Sequence, residues 1–241
     1  MRNSISTRLI LLLTLCAATI IGVGMLVDYQ LSRDEILTRL EVQSRDTISA
    51  VITDMENWLD GVEGSTLFLA RILEQRDYSL PGLEQMLKDV VENNEDIFGA
   101  TIALDPAGVG DPVGFAPYYF YRDGILTYAN LAAADNNYQQ QSWYRDTVAA
   151  GTPIWVEPYF DRGGGETLMT TFAVPTYRTA EDGSRSLYAV VTADVSLQEL
   201  HAYLQRLRIG ASSFPILMSR QGIILSGRDP DNIMRHYSEV P

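Results

Sequence analysis

Cysteine, histidine and basic charge are all scarce in this chain. Its 241 residues hold one cysteine and two histidines, and 18 Lys and Arg stand against 31 Asp and Glu. A single cysteine excludes an intramolecular disulfide framework. Cys16 lies inside an apolar run near the start, so everything after it is cysteine-free, which is compatible with an oxidising compartment. His201 and His236 are isolated, and no His/Cys/Asp spacing suggests zinc, so neither a metal nor a cofactor is expected. Arg2 and Arg8 precede the apolar run and no acid does, so the part beyond residue 27 sets 31 acids against 16 bases, a net charge of −15. So acidic a body repels phosphate backbones, which argues against nucleic acid as a partner and favours cationic or zwitterionic ligands. A solvated acidic surface accounts for most of that charge.

Catalytic motifs are missing as well. Gly163-Gly164-Gly165 lacks a following Lys-Ser/Thr and lies between two strand-like runs, so it reads as a hairpin turn, not a phosphate loop. Ser142, Ser212 and Ser213 have no base near them in sequence. Asp229 and Asp231 resemble a calcium loop only superficially and fit a capped turn better. No catalytic residue and no metal ligand is expected in the chain.

What is present begins with Leu9–Val27, LILLLTLCAATIIGVGMLV, which carries no charge. Its length matches the ~20 residues that cross ~30 Å of hydrocarbon at 1.5 Å per residue. Arg2 and Arg8 on one side put the N-terminal residues 1–8 in the cytoplasm and the body outside it. A cleavable signal peptide is the alternative, but the run exceeds a usual apolar core and no small-x-small site precedes Asp28. The expectation is an uncleaved anchor spanning 9–27 in the inner or plasma membrane.

From 28 to about 77 the pattern is helical. Ile36, Leu40, Ile48, Ile52, Met55, Leu59 and Val62 recur mostly at steps of three and four, and no proline occurs before Pro81. Ser79-Leu80-Pro81 caps a second helix through Val91. From Phe98 the period becomes two. Strands are expected over Phe98–Leu104, Pro153–Tyr159, Thr167–Tyr177 and Leu187–Val195, with a hairpin of Tyr118–Tyr121 and Ile125–Leu131 around Arg122-Asp123-Gly124 and a loop from Asp105 to Pro117. Gln139–Ala150 reads as a short helix ended by Gly151, and Ser196–Arg208 as an amphipathic one. Together these make an α+β, antiparallel-sheet module of the PAS-like kind. After Gly210, Phe214–Met218 and Gly222–Leu225 open a second, smaller module with no room to finish, so a fragment of a longer protein is expected.

Trp143–Pro175 mixes aromatics, carboxylates, a short helix and a glycine-rich hairpin. Asp161 and Asp194 facing one cavity, with Trp143, Tyr144 and Tyr159 supplying π faces, would suit an ammonium group. The plainer alternatives are that Trp143 and Tyr144 are core aromatics, that Asp161 begins the glycine turn, and that Asp194 caps the helix near Ser196.

The element order resembles the double Cache domain over roughly residues 5–235, through IFGATIALDP (97–106), FAPYYFYRDG (115–124), QSWYRDTVAAGTPIWVEPYFDRGGGETLMTTFAVPTY (141–177), YAVVTADVSLQEL (188–200) and SRQGIILSGRDPDNIM (219–234). That resemblance implies a membrane-distal Cache module over 78–209 and the beginning of a membrane-proximal one over 210–241. The EPYFD-GGG and VVTADVSL wording looks most like sensors preceding sporulation-type (stage II E-like) serine/threonine phosphatases. Similar sensors precede histidine kinases, cyclases and chemoreceptors. The resemblance thus implies an extracytoplasmic ligand-sensing region, relaying a conformational change across the bilayer to a cytoplasmic phosphatase beyond residue 241, with a histidine kinase, cyclase or chemoreceptor output as the alternative and a homodimer as the expected state. A ligand-free dimerisation module is the remaining alternative.

In amino-acid-binding relatives of that kind, a tyrosine, an arginine and a Trp-Tyr pair hold the ligand carboxylate, while a Tyr-x-Asp and a later aspartate hold its amine. Trp143 and Tyr144 match the pair, Tyr159 and Asp161 the Tyr-x-Asp, and Asp194 the later aspartate. Gln141 stands at the arginine position and Asn136 at the tyrosine position, with Tyr138 nearby but off-register. A neutral amide cannot replace a bidentate guanidinium. The implied ligand is a small amine or another non-carboxylate molecule.

Overall fold

The computed structural model describes residues 5–109, 114–133, 137–180, 182–206 and 214–240. The chain divides into two compact units, residues 1–51 and 52–241. Helix α1, Ile5–Gln75, begins in the first and ends in the second. In the first unit the apolar side chains from Leu12 to Val27 are exposed, as a lipid-facing segment requires. Among the described residues α1 is the one helix long and apolar enough to cross a membrane.

The second unit is built on a six-stranded antiparallel sheet. Its strands are β1 Gly99–Leu104, β2 Pro117–Arg122, β3 Ile125–Asn130, β4 Ile154–Phe160, β5 Leu168–Thr179 and β6 Arg185–Ser196, in the order β3-β2-β1-β6-β5-β4. The alternation expected from the sequence sorts the side chains onto two faces. Ala100, Ile102, Phe172, Val174, Val191, Ala193 and Val195 pack on one face against Met55, Val62, Leu69 and Leu73 of α1. Helix α2, Leu80–Glu92, adds Leu83, Leu87 and Val91, and helix α5, Leu197–Arg206, adds Leu197, Leu200 and Leu204. The other face carries Ala103, Tyr118, Phe120, Val190, Met169 and Ala173, covered by Trp143 and Tyr144 of helix α4, Ser142–Ala150.

Local chemistry fixes the ends of these elements. The Ser79 hydroxyl accepts from Gly82 N at 3.3 Å and Pro81 lies in the first turn of α2, a start worth ~1 kcal/mol. Gly151 ends α4 at φ 65°, a left-handed conformation that residues with a Cβ resist. Asp123 and Gly124, at φ 52° and 75°, form the two-residue turn between β2 and β3.

Three expectations need adjustment. The connection between β1 and β2 is not loop throughout: it holds a short helix, α3 Pro106–Val109, and Pro117 already belongs to β2. The residues before α4 form a 3-10 turn, Tyr138–Gln140, separate from the helix. Helix α5 starts at Leu197, with Ser196 accepting from Gln198 N at 3.2 Å, so Asp194 is not its cap. Beyond it, Leu217–Met218 (β7) pairs antiparallel with Ile224–Ser226 (β8), while Gly210, Ser212 and Ser213 lie outside the described residues.

Candidate functional site

The buried acids of this molecule meet at one end of the central strands. Strand register places Thr171 of β5 and Gly99 of β1 directly across from Asp194 of β6. Asp194 is 4% exposed, and Thr171 Oγ1 donates to its Oδ1 at 2.7 Å. Tyr159 of β4 sits 2.8 Å from the same Thr171 oxygen. A hydroxyl has one proton, and Thr171 spends its own on Asp194, so Tyr159 is the donor in the Tyr159–Thr171–Asp194 chain.

Tyr118 of β2 completes the cluster. Its ring stacks on Phe120 at 4.9 Å between centroids, and it is buried to 1% exposure. Its hydroxyl has no hydrogen-bond partner of ordinary geometry, although Asp194 and Asp161 both act on it electrostatically. Two glycines make room for that ring. A Cβ on Gly99 would fall 2.6 Å from the Tyr118 hydroxyl, and one on Gly164 would fall 2.9 Å from its Cε1.

Asp161 is buried at the start of the glycine turn, and its Oδ2 accepts from Gly165 N at 2.5 Å. Arg122 pins the same turn through Gly164 O at 3.0 Å. Asp161 therefore does begin the glycine turn, as one alternative had it, and also faces the cluster.

Burial dominates the electrostatics. It pushes the Asp194 carboxyl up to about 7; the Thr171 hydrogen bond opposes that rise, and the Asp161 charge adds to it. Burial likewise raises Asp161, against the pull of Gly165 N–H. Tyr118 and Tyr159 are raised by burial and then by the Asp194 charge, so both stay protonated donors. Two carboxyls, two phenols and a threonine hydroxyl, with no basic side chain hydrogen-bonded to either acid among the described residues, form a donor-seeking site suited to a cation.

Trp143 and Tyr144 belong to the same face but to a neighbouring aromatic group. Tyr138 lies parallel to Trp143 at 6.3 Å and edge-on to Tyr144 at 5.4 Å. The Tyr144 hydroxyl points toward Asp105, 3.5 Å away. Gln141 occupies the N-cap of α4, half-buried, without using its side chain as a cap. Asn136 lies outside the described residues. The structure thus joins Tyr159, Asp161 and Asp194 directly and sets Trp143 and Tyr144 on the same sheet face. Sequence reasoning missed Tyr118 and Thr171. The available signal was the alternation of β2 and β5, which puts both residues on the face that carries Asp194. His201 packs against Ser226, 2.9 Å from its Oγ. No group of three or more His, Cys, Asp or Glu able to hold a metal occurs among the described residues.

With this geometry in hand, the comparisons with known proteins agree on a class. Residues 83–202 match the model of the first PDC sensor domain of methyl-accepting chemotaxis protein-like proteins. Residues 83–202 are thus supported as a Cache (PDC) sensor domain, and the match together with the apolar N-terminal helix fits a sensor region of a membrane signalling protein with that domain outside the cytoplasm. It is 25% identical over 98% of its length to the methyl-accepting chemotaxis protein PctB of Pseudomonas aeruginosa, of which it covers 34%. The chain spans about a third of the length of the curated relatives it matches, 34% and 29%. The solved PctB ligand-binding domain in complex with L-Arg aligns at 25% identity with a TM-score of 0.56, covering 76% of this chain and 69% of that one. A structure named methyl-accepting chemotaxis protein X aligns at a TM-score of 0.68 and 21% identity, covering 80% of this chain and 76% of that one.

Proposed function

We propose that this chain is the sensing region of a chemoreceptor-type signalling protein and that it binds a small amine through Asp194, Asp161, Tyr159 and Tyr118. The observation that carries the reading is the buried Asp194 carboxyl, which the Thr171 hydroxyl and the Tyr118 phenol stabilise and which no basic side chain pairs among the described residues. A ligand ammonium would supply the missing donors and the missing charge together, each such contact being worth on the order of 1–3 kcal/mol. Trp143 and Tyr144 would wall the ligand from the α4 side. Gln141, in place of a guanidinium, disfavours ligands that depend on a carboxylate. The PctB domain was solved with L-Arg, a small molecule that carries an ammonium group.

Binding would favour one arrangement of the sheet and α1 over another, which is how such a region passes a signal on. A second reading of the output rests on the EPYFD-GGG and VVTADVSL wording, which favours a serine/threonine phosphatase. A methyl-accepting helical domain after Pro241 would support the chemoreceptor reading, and a soluble domain with metal-binding aspartates would support the phosphatase. The ligand itself is tested by thermal-shift screening of the chain against amines, amino acids and organic acids. Stabilisation by an amine that disappears in Asp194→Ala is expected. No stabilisation by any amine, or stabilisation indifferent to Asp194→Ala, would overturn the assignment.

A further inference from the structure

A cavity lies on the opposite face of the sheet from Asp194. It is a half-open pocket of about 250 Å³ lined by Trp58 of α1, Trp155 and Glu157 of β4, Leu200 of α5, Leu225 of β8 and Arg220 of the β7–β8 turn. By volume it holds as much as about eight waters, enough for one small organic molecule. Its walls are mostly apolar, and the charged side chains in them are Glu157 and Arg220. Glu157 Oε2 is buried without a hydrogen-bond partner. Buried carboxylate oxygens are ordinarily paired, so this one marks a position where a donor is missing.

The aromatic walls are rigid. Trp58 Nε1 donates to Asp96 at 2.6 Å and its ring stacks on Tyr203 at 5.6 Å. Trp155 Nε1 donates to Glu63 at 2.7 Å, and its ring packs on Phe172. Both indole N–H groups are thus directed into fixed acceptors, leaving π faces and aliphatic side chains to line the space. Arg220 contributes a positive charge to the same lining, which disfavours a ligand with two cationic ends.

We propose that this cavity is a second binding site, for a small aromatic monoamine whose ammonium meets Glu157 and whose ring lies among Trp58, Trp155, Leu200 and Leu225. The charge and the shape agree: one unpaired carboxylate oxygen, an apolar body-sized space and two fixed indole faces. The site joins α1, the central sheet and the β7–β8 hairpin, so an occupant there ties three elements together without touching Asp194.

The test uses the chain reconstituted in phosphatidylcholine vesicles, carrying Asp194→Ala to silence the first site, with phenethylamine as the probe and intrinsic tryptophan fluorescence as the readout. Two of the three tryptophans, Trp58 and Trp155, line the cavity. A saturable fluorescence change is expected. Adding Glu157→Gln should weaken it roughly tenfold to a hundredfold, the loss of one charge-assisted contact. Leu217→Phe, which narrows the cavity from the hairpin, should abolish it, and ethylbenzene should bind more weakly than the amine. A response that never saturates, or one unchanged by Glu157→Gln, would overturn the second site. Loss of the response with Asp194→Ala alone would assign the amine to the first site instead.

Discussion

The burial of Asp194 has a measurable signature. Its carboxyl is held at about 7 in the folded chain, against 3.8 for an exposed aspartate. The unfolded chain therefore releases this proton first. As pH rises from about 4 to about 7 the unfolded state binds fewer protons than the folded one, and stability falls across that window. Below about 4 both states are protonated and there is no penalty; above about 7 the penalty is complete, on the order of 4 kcal/mol. Asp194→Asn removes the charge and keeps the shape. Its melting temperature should exceed that of the unaltered chain by roughly 5 °C or more at pH 8, and the gap should close near pH 4.5. An equal gap at both values would mean that the cost of Asp194 is not its charge. The same linkage makes amine affinity rise with pH through the window, because the cation binds the ionised carboxylate and displaces its proton.

At the scale of elements, the end of α1 depends on a side chain far away in sequence. The last carbonyls of a helix have no partners of their own. Arg178 of β5 supplies them: its Nη2 donates to Leu73 O at 3.1 Å and Arg76 O at 2.8 Å, Nη1 pairs with Asp77, and the guanidinium lies 3.8 Å from the Tyr188 ring centroid. Nearby, Tyr177 N donates to Glu74 Oε1 at 3.1 Å. Arg178→Ala should cost about 1.5–3 kcal/mol and speed hydrogen exchange of the amides around 70–77 while leaving those of β1 and β6 protected. Arg178→Lys should rescue little, since an ammonium cannot reproduce the fork. Uniform exchange changes across the sheet would point to global destabilisation instead.

This clamp also shows what was legible beforehand. Strands β5 and β6 were readable because alternating residues over Thr167–Tyr177 and Leu187–Val195 carry their own period, and Ser79 with Pro81 announced α2. Trp143, Tyr159, Asp161 and Asp194 came from wording shared with a known family. Tyr118 and Thr171 did not, because their importance arises from register: Thr171 matters by lying across from Asp194, and Tyr118 by the space that Gly99 and Gly164 leave for it. Such pairings join positions 19 or more residues apart, and local periodicity carries no trace of the partner. The unpaired oxygen of Glu157 was equally invisible, since only packing decides which oxygen is left without a donor.

For the whole molecule, the lone cysteine turns the membrane assignment into an experiment. Cys16 lies on α1 within the apolar stretch, exposed to whatever surrounds that helix. At 1.5 Å per residue it sits on the order of 10 Å inside a span that begins near Leu9, a depth where thiolate formation and maleimide access are both suppressed. In intact membranes a bulky maleimide should leave Cys16 unmodified, and after solubilisation in SDS the thiol should label fully. If the apolar run were instead a cleaved signal, Cys16 would be lost with it and no labelling would follow under either condition. A second cysteine at Ser184, exposed in the turn between β5 and β6, reads orientation independently. It should label from the extracytoplasmic side of intact cells, as the positive residues Arg2 and Arg8 before the span require. Labelling of Cys16 in intact membranes would place the helix in water, where its exposed face of Leu12, Leu13, Leu15, Ile20 and Ile21 would have to be covered by protein rather than lipid. The two thiols together therefore decide whether the amine site proposed at Asp194 lies on the far side of a bilayer from any output that α1 could drive.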